Sequence, residues 1–363
     1  MDAFTSFPYY GNIDYPPYSN NDFYNFSWNG DWHLGPYYDD LHISRVMKIV
    51  SMSIYSATLL LGTTGNGLVI FLTGFHLKKT VTTIWYLNLA MADFVFAICL
   101  SSEIIYVALD HWPLGRLMCK LDSVVPFLNM FASVFFLTAI SADRCVSVVH
   151  PVWALNHRTL KLASVMAIII WMISLALSLP YFSFRDTKDT QDGTIQCAYN
   201  FNSEDASNPW AHRAMVVTEF VVGFLIPFHI ILACYCAIII KLRGKIFGRF
   251  SRSFKIIIVV IVVFFCCWFP YHLFAILDML EDDSLEMKNI LNIGLPLANG
   301  LLCLNSCLNP LLYAFLGPDC RRTNCRSFLS AFKAAFNENW ATVSSFSNKR
   351  NSSSTSGVES SMV

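Results

Sequence analysis

The fifteen residues "KIIIVVIVVFFCCWF" (255–269) decide the fold. After Lys255 the run contains no charge, and it is apolar on every face rather than along one stripe, whereas a helix at the surface of a soluble domain keeps a polar face for water. With its flanks it extends over 254–280, enough to cross about 30 Å of hydrocarbon as a helix. The run "SVMAIIIWMISLALSL" (164–179) reads the same way. The chain as a whole is 55% hydrophobic and only 14% charged, which excludes an ordinary soluble domain of 363 residues. Seven stretches are long and apolar enough to span a membrane: 46–75, 82–109, 117–149, 161–182, 212–241, 254–280 and 290–316. The predicted class is an all-α membrane protein, a seven-transmembrane helix bundle with a short amphipathic eighth helix. Its expected parts are an acidic, Tyr-rich tail at 1–45, the bundle at 46–316, a membrane-surface helix at 317–336 and a disordered Ser-rich tail at 337–363.

Lys and Arg in the short loops set the orientation. The segment "KLRGKIFGRFSRSFK" (241–255) is densely basic, and Lys78, Lys79, Arg158, Lys161, Arg321, Arg322 and Arg326 fall on the same side. That side is expected to face the cytoplasm, leaving the N-terminus outside a plasma-membrane protein. No basic and apolar leader precedes the first span, which is therefore expected to direct its own insertion. The formal charge is zero, yet the expected outer segments collect Asp14, Asp22, Asp31, Asp39, Asp40, Glu281, Asp282, Asp283 and Glu286. Such a face attracts basic ligands. Of the 12 cysteines, only Cys119 and Cys197 lie in expected oxidising space, so they form the natural disulfide pair. Asn25 begins an N-glycosylation acceptor in the outer tail, and Tyr37 and Tyr38, beside Asp39 and Asp40, suit sulfation. Cys320 and Cys325 lie among arginines after the last span, where palmitoylation, an anchor into membrane lipid, is expected.

Polar residues inside the spans are few and costly, so each is read as functional. Asn66, Asp93, Asn129, Ser133, Asn305, Ser306 and Asn309 lie in the inner half of their spans. Asn129 and Ser133 are four apart, as are Asn305 and Asn309, so each pair shares a helical face. With Asp93 they compose one expected polar pocket: either a sodium site, since a carboxylate and neutral oxygens suit a small hard cation, or a hydrogen-bonded network around a protonated Asp93. Pro180, Pro227, Pro270 and Pro310 punctuate the later spans and are expected hinges, with Trp268 just before Pro270. In "LTAISADRCVSVVHPVW" (137–153), Asp143 and Arg144 stand side by side at the inner end of the third span.

Taken in register, these residues resemble the rhodopsin-like (class A) G-protein-coupled receptors. The landmarks are Asn66, Asp93, "WPLG" at 112–115, Cys119, Asp143-Arg144, Trp171, Cys197, Pro227, Tyr235, Phe264, "CWFP" at 267–270 and "NPLLY" at 309–313. The strings "KKTVTTIWYLNLAMADF", "NMFASVFFLTAISADRCVSVVHPVWALNHRTLKLA", "SFRDT" and "SRSFKIIIVVIVVFFCCWFPYH" resemble the chemoattractant peptide branch. Within it they look most like chemerin receptors, then formyl-peptide and complement-anaphylatoxin receptors.

The resemblance implies a G-protein switch in which Asp143 restrains Arg144, with Tyr235 and Tyr313 as the active-state partners of Arg144. It implies an activation pivot of Phe264, Trp268, Pro227, Pro270, Asn309 and Pro310. No acid opens the sixth helix, so the restraint is expected to be local, and Cys145 stands where the family usually has Tyr. The expected ligand pocket comprises Glu103, Phe127, Met130, Glu219, Asp278 and Asn299. Pro126 replaces the acid that amine receptors need, and 290–316 lacks the lysine of opsins. Glu219 stands where this branch often carries a basic residue, which points to a ligand with a basic or amine-bearing part. Implied partners are an extracellular peptide or small protein, an inhibitory-class G protein, arrestin and receptor kinases, with no nucleic acid and no cofactor beyond sodium. The tail at 342–363 suits phosphorylation, and its final "SMV" fits a PDZ-type ligand.

Competing readings are an arrestin-biased or decoy receptor, and a transporter or channel. No internal repeat supports the latter. No nucleophile–base pair, metal spacing or phosphate loop supports an enzyme.

Overall fold

The computed structural model describes residues 36–190, 193–199, 209–242, 252–280 and 285–316, with only the backbone path at 36–42, 209, 242, 252–257, 285–286 and 312–316. Asn25, Cys320, Cys325, the eighth helix at 317–336 and the Ser-rich tail lie outside the described residues, as do the side chains of Tyr37, Tyr38 and Tyr313. The described chain runs α1 (Pro36–Phe71) into a π-helical turn (Leu72–His76), then α2 (Val81–Leu109), α3 (Gly115–Val149), α4 (Pro151–His157) and α5 (Leu160–Phe184). Two strands follow, β1 (Arg185–Asp189) and β2 (Ile195–Tyr199), then α6 (Pro209–Phe220), a second π-helical turn (Val221–Leu225), α7 (Ile226–Leu242), α8 (Arg252–Met279) and α9 (Leu285–Leu316).

Seven segments are long and apolar enough to cross a membrane, and each coincides with a predicted span: Ile43–His76, Val81–Leu109, Gly115–Val149, Leu160–Phe184, Trp210–Lys241, Ile258–Met279 and Met287–Leu311. α3 is the central post. Of its most apolar stretch 72% is buried, against 28% for α5, because α2, α5, α7 and α8 all pack on α3. Large apolar side chains on α5, such as Ile168 and Met172, remain exposed, as the lipid-facing side of a bundle requires.

Helix ends follow from local chemistry. Thr80 caps α2: its hydroxyl accepts from Thr83 N at 3.1 Å while Thr83 Oγ1 accepts from Thr80 N at 2.7 Å. Pro151 opens α4 at a position where its missing N–H costs nothing. Gly65 lets α1 meet α9, since a Cβ there would stand 2.9 Å from Pro310 Cβ. The π turn at Val221–Leu225 precedes Pro227, which has no N–H to donate. Within that turn a Cβ on Gly223 would come within 2.9 Å of Met130 Cε.

The expected loop after the fourth span is a hairpin, an exception to the all-helical reading. β1 pairs antiparallel with β2, Thr187 opposite Cys197, and Gly193 takes the turn at φ 75°. The expected Cys119–Cys197 disulfide is present, with Cα atoms 5.7 Å apart, and ties the hairpin to the top of α3. The "WPLG" loop joins it: Trp112 N donates to Ile195 O at 2.8 Å, and Ile195 N donates to His111 Nδ1 at 2.9 Å. At the start of α3 Arg116 grips Asp186, which lies outside the spans, with Nε and Nη2 at 2.7 and 2.6 Å, holding that carboxyl below the usual carboxylate range.

Candidate functional site

Polar groups line the bundle's axis at three levels. At the hairpin end they form two clusters. In the first, Glu103 of α2 lies against Asp122 of α3, which accepts from Ser102 Oγ at 2.6 Å. Arg185, the first residue of β1, is buried beside both acids, with its guanidinium 4.7 Å over the Tyr199 ring. Its Nε–H reaches the disulfide sulfur of Cys197 at 3.1 Å, a weak acceptor. Glu103 Oε1 and Arg185 Nη1 are buried with no hydrogen-bond partner.

In the second cluster, Glu219 of α6 accepts from Tyr181 Oη of α5 and, at 3.1 Å, from Tyr271 Oη of α8. Phe127 stacks on Tyr181 at 3.5 Å between centroids, and Met130 is wholly buried beside Gly223. Five of the six expected pocket residues, Glu103, Phe127, Met130, Glu219 and Asn299, are thus buried. Asp278 is half-buried near the end of α8, close enough to act on Tyr271. Asp122, Arg185, Tyr181 and Tyr271 escaped the sequence reading. Asp122 carried the available signal, an acid inside a span three residues after Cys119.

Beneath them Trp268 and Phe264 stack at 5.8 Å, with Trp268 edge-on to Tyr271 at 5.9 Å, so the clamp on Glu219 rests on the expected pivot. His272, buried beside Trp268, leaves Nε2 without a partner.

At mid-depth the predicted polar pocket is assembled. Asp93 accepts from Asn309 Nδ2 at 2.8 Å and from Asn129 Nδ2 at 3.4 Å. Asn129 also donates to Ser306 Oγ at 3.1 Å, and Ser133 Oγ donates to Asn129 Oδ1 at 2.9 Å. Asn66 joins through Ser306 O at 2.8 Å. Asn305 is as deeply buried, but its Oδ1 has no partner.

At the far end one expectation fails. Asp143 and Arg144 form no ion pair, because both carboxylate oxygens of Asp143 are taken by another guanidinium. Asp143 is instead gripped by Arg158, between α4 and α5, with Nε at 2.7 Å and Nη2 at 2.9 Å. Arg144 donates through Nη2 to Thr82 Oγ1 at 3.0 Å, and Arg158 Nη2 donates to the same hydroxyl at 3.0 Å. Tyr235 of α7 lies near Ser141 and Arg144, while Cys145 lies against Cys234.

Sequence comparison agrees with this geometry. The family described as 7 transmembrane receptor (rhodopsin family) matches residues 65–313. Chemerin-like receptor 1 of Rattus norvegicus is 42% identical over 294 residues, covering 77% of this chain and 78% of the relative. Chemerin-like receptor 1 of Homo sapiens matches at 42% over 294 residues, with the same coverage of 77% and 78%. Chemerin-like receptor 2 of Homo sapiens is 40% identical over 273 residues, covering 75% of this chain and 77% of the relative. With seven apolar spans, a polar cluster at mid-depth and an Asp-Arg pair ending the third span, this multi-pass membrane protein belongs to the rhodopsin family of seven-transmembrane receptors, beside the chemerin-like receptors.

Proposed function

We propose that the protein is a cell-surface receptor for a chemoattractant peptide or small protein of the chemerin type. On this reading the hairpin end faces outward and the receptor signals through inhibitory-class G proteins and arrestin. The observation that carries it is the pair of side-chain atoms left without hydrogen-bond partners beneath a disulfide-tied hairpin, Glu103 Oε1 and Arg185 Nη1. A buried polar atom without a partner is unfavourable until something completes it. A peptide bearing both basic and carboxylate groups would do so. The disulfide supports the orientation, because such bonds persist in oxidising compartments, and the basic loops at the other end agree with it. The names of the relatives support the ligand class.

In this reading Glu103, Asn299 and Asp278 meet the ligand first, with Phe127, Met130 and Glu219 deeper. Trp268, Phe264, Pro227, Pro270, Asn309 and Pro310 carry the change inward, and Arg144 with Tyr235 and Tyr313 receives the G protein. Sodium suits Asp93 with the oxygens of Asn129, Ser133 and Ser306, and Asn305 and Asn309 border it. Sugar at Asn25, sulfate on Tyr37 and Tyr38, lipid on Cys320 and Cys325, and receptor-kinase phosphates on the Ser-rich tail complete the proposal.

The test is cAMP inhibition beside arrestin recruitment in cells expressing the full chain, given chemerin-derived, formyl and anaphylatoxin peptides. Response to a chemerin peptide is expected, with potency reduced when Glu103→Gln and Glu219→Gln are combined. Unchanged potency in that double variant sinks the acidic-pocket reading, and silence in both assays with every peptide sinks the ligand class. Arrestin recruitment alone would favour the decoy reading.

A further inference from the structure

At the far end of the bundle two arginines, Arg144 and Arg158, divide between them the carboxylate of Asp143 and the hydroxyl of Thr82, and their bonding order is unexpected. Asp143 has two carboxylate oxygens, and Arg158 takes both, at 2.7 and 2.9 Å. The parallel two-bond fork is the strongest arrangement available to a guanidinium and a carboxylate. Arg144 is left with one bond to a neutral hydroxyl, Thr82 Oγ1 at 3.0 Å, and its Nε–H is buried without a partner. The unpaired buried Nε–H leaves Arg144 with a donor that an acceptor could still take up.

Each part of this arrangement is fixed by its backbone. Thr82 lies in the first turn of α2, whose start the reciprocal Thr80–Thr83 bonds hold. Arg158 N donates to Ala154 O at 2.9 Å, closing α4, whose Ala154 is buried. On the other side Thr159 Oγ1 accepts from Leu162 N at 3.2 Å and caps α5. Arg158 therefore sits on a two-residue joint, with Thr159, between two anchored helices. The Arg158 and Asp143 side chains are only 15% and 9% exposed, so water competes weakly for the pair.

We infer that Arg158 is a positioning residue for the switch: by occupying both oxygens of Asp143 it keeps Arg144 out of the local Asp143–Arg144 pair and holds it ready on Thr82. This rests on the reading of Arg144 as the group that receives the G protein. Removing Arg158 frees Asp143, and a side-chain rotation then lets Arg144 exchange a hydroxyl for a carboxylate and withdraw. Lysine at 158 keeps the charge but not the fork, so it should give an intermediate result. The effects of Arg158 and Asp143 should be strongly non-additive, as expected of groups in one network.

The test uses the full chain in lipid nanodiscs and needs no agonist. The 15N signal of the Arg144 Nε–H, assigned by its loss in Arg144→Lys, reports the placement directly. It should move in Arg158→Ala to a carboxylate-bonded position, move partway in Arg158→Lys, and return in Arg158→Ala with Asp143→Asn. Agonist-free nucleotide exchange on an inhibitory-class G protein should fall by about fivefold or more in Arg158→Ala, the lower range of coupling between sites, and recover in the double variant. An unmoved Arg144 signal in both Arg158→Ala and Arg158→Lys overturns the inference. So does exchange that rises in Arg158→Ala, or that falls equally whether position 143 is Asp or Asn, as a merely structural role would give. If the signal moves and returns as expected while no variant, nor the unmodified receptor, drives exchange, the positioning role stands and the coupling reading fails.

Discussion

The middle of the bundle and its hairpin end both bury carboxyl groups, and they treat them differently. Around Asp93 each carboxylate oxygen accepts from an amide, Asn309 at 2.8 Å and Asn129 at 3.4 Å, and no charged atom is left over. At the hairpin end Glu103 and Arg185 are as deeply buried, yet each keeps one side-chain atom without a hydrogen-bond partner. Glu219 stands between these extremes, its two oxygens spent on two tyrosine hydroxyls. The difference separates structure from recognition. A carboxylate whose two oxygens are both met holds helices in one arrangement, whereas one with an open oxygen marks where another molecule can enter.

The largest effect is expected of Asp93→Leu. It strips the acceptor from two buried amides, at about 1–3 kcal/mol for each group left unpaired. A large fall in thermal stability of the purified receptor, without ligand, is expected; an unchanged melt would mean the cluster holds nothing. Glu219→Leu should come next, since it orphans the hydroxyls of Tyr181 and Tyr271, at about 1–3 kcal/mol each less whatever relaxation recovers. Glu219→Gln keeps an acceptor and should lose clearly less in the same melt. Glu103→Gln sharpens the contrast from the other side. Because Glu103 Oε1 serves no bond in the protein, stability should barely move, while agonist potency in the cAMP assay falls about tenfold, the factor that roughly 1.4 kcal/mol gives. A destabilisation rivalling Asp93→Leu would show that the site is not open.

The smallest effect belongs to Asp186. Arg116 holds its carboxyl below the ordinary range, so the pair contributes stability above the unfolded pKa of about 3.9 and loses it as pH falls through the lower folded value. Arg116 is 69% exposed and salt screens the pair. Asp186→Asn should therefore remove a slight acid-side slope in hairpin stability, measured by hydrogen exchange at 185–189, and leave the rest of the bundle unaltered.

Legibility in the sequence follows the same division. Asp93, Asn129, Ser133, Ser306 and Asn309 were readable because a polar residue in an apolar span is conspicuous, and the spacing of four puts pairs on one face. Cys119 and Cys197 were readable from topology alone. Tyr181 and Tyr271 were not, because an aromatic residue in such a span looks like filler until its hydroxyl meets Glu219. Arg185 directly follows an apolar run and reads as a residue reaching for water, yet the hairpin folds over it. The Asp143–Arg144 pair misled. Sequence neighbours invite pairing, but both oxygens of Asp143 are taken by a partner that lies 15 residues away across α4.

The π turn at Val221–Leu225 gives the fifth span a phase. One additional residue in that turn rotates everything after it by about 100° relative to an uninterrupted α-helix. Glu219 lies before the turn and Tyr235 after it, so the two ends of one span are aimed independently: the first at Tyr181 and Tyr271, the second toward Arg144. Deleting a single residue of the turn would leave the apolar length sufficient to span the membrane and the Glu219 clamp in place, yet carry Tyr235 onto a different face. Ligand reception and transmission would then be uncoupled without altering the chemistry of either.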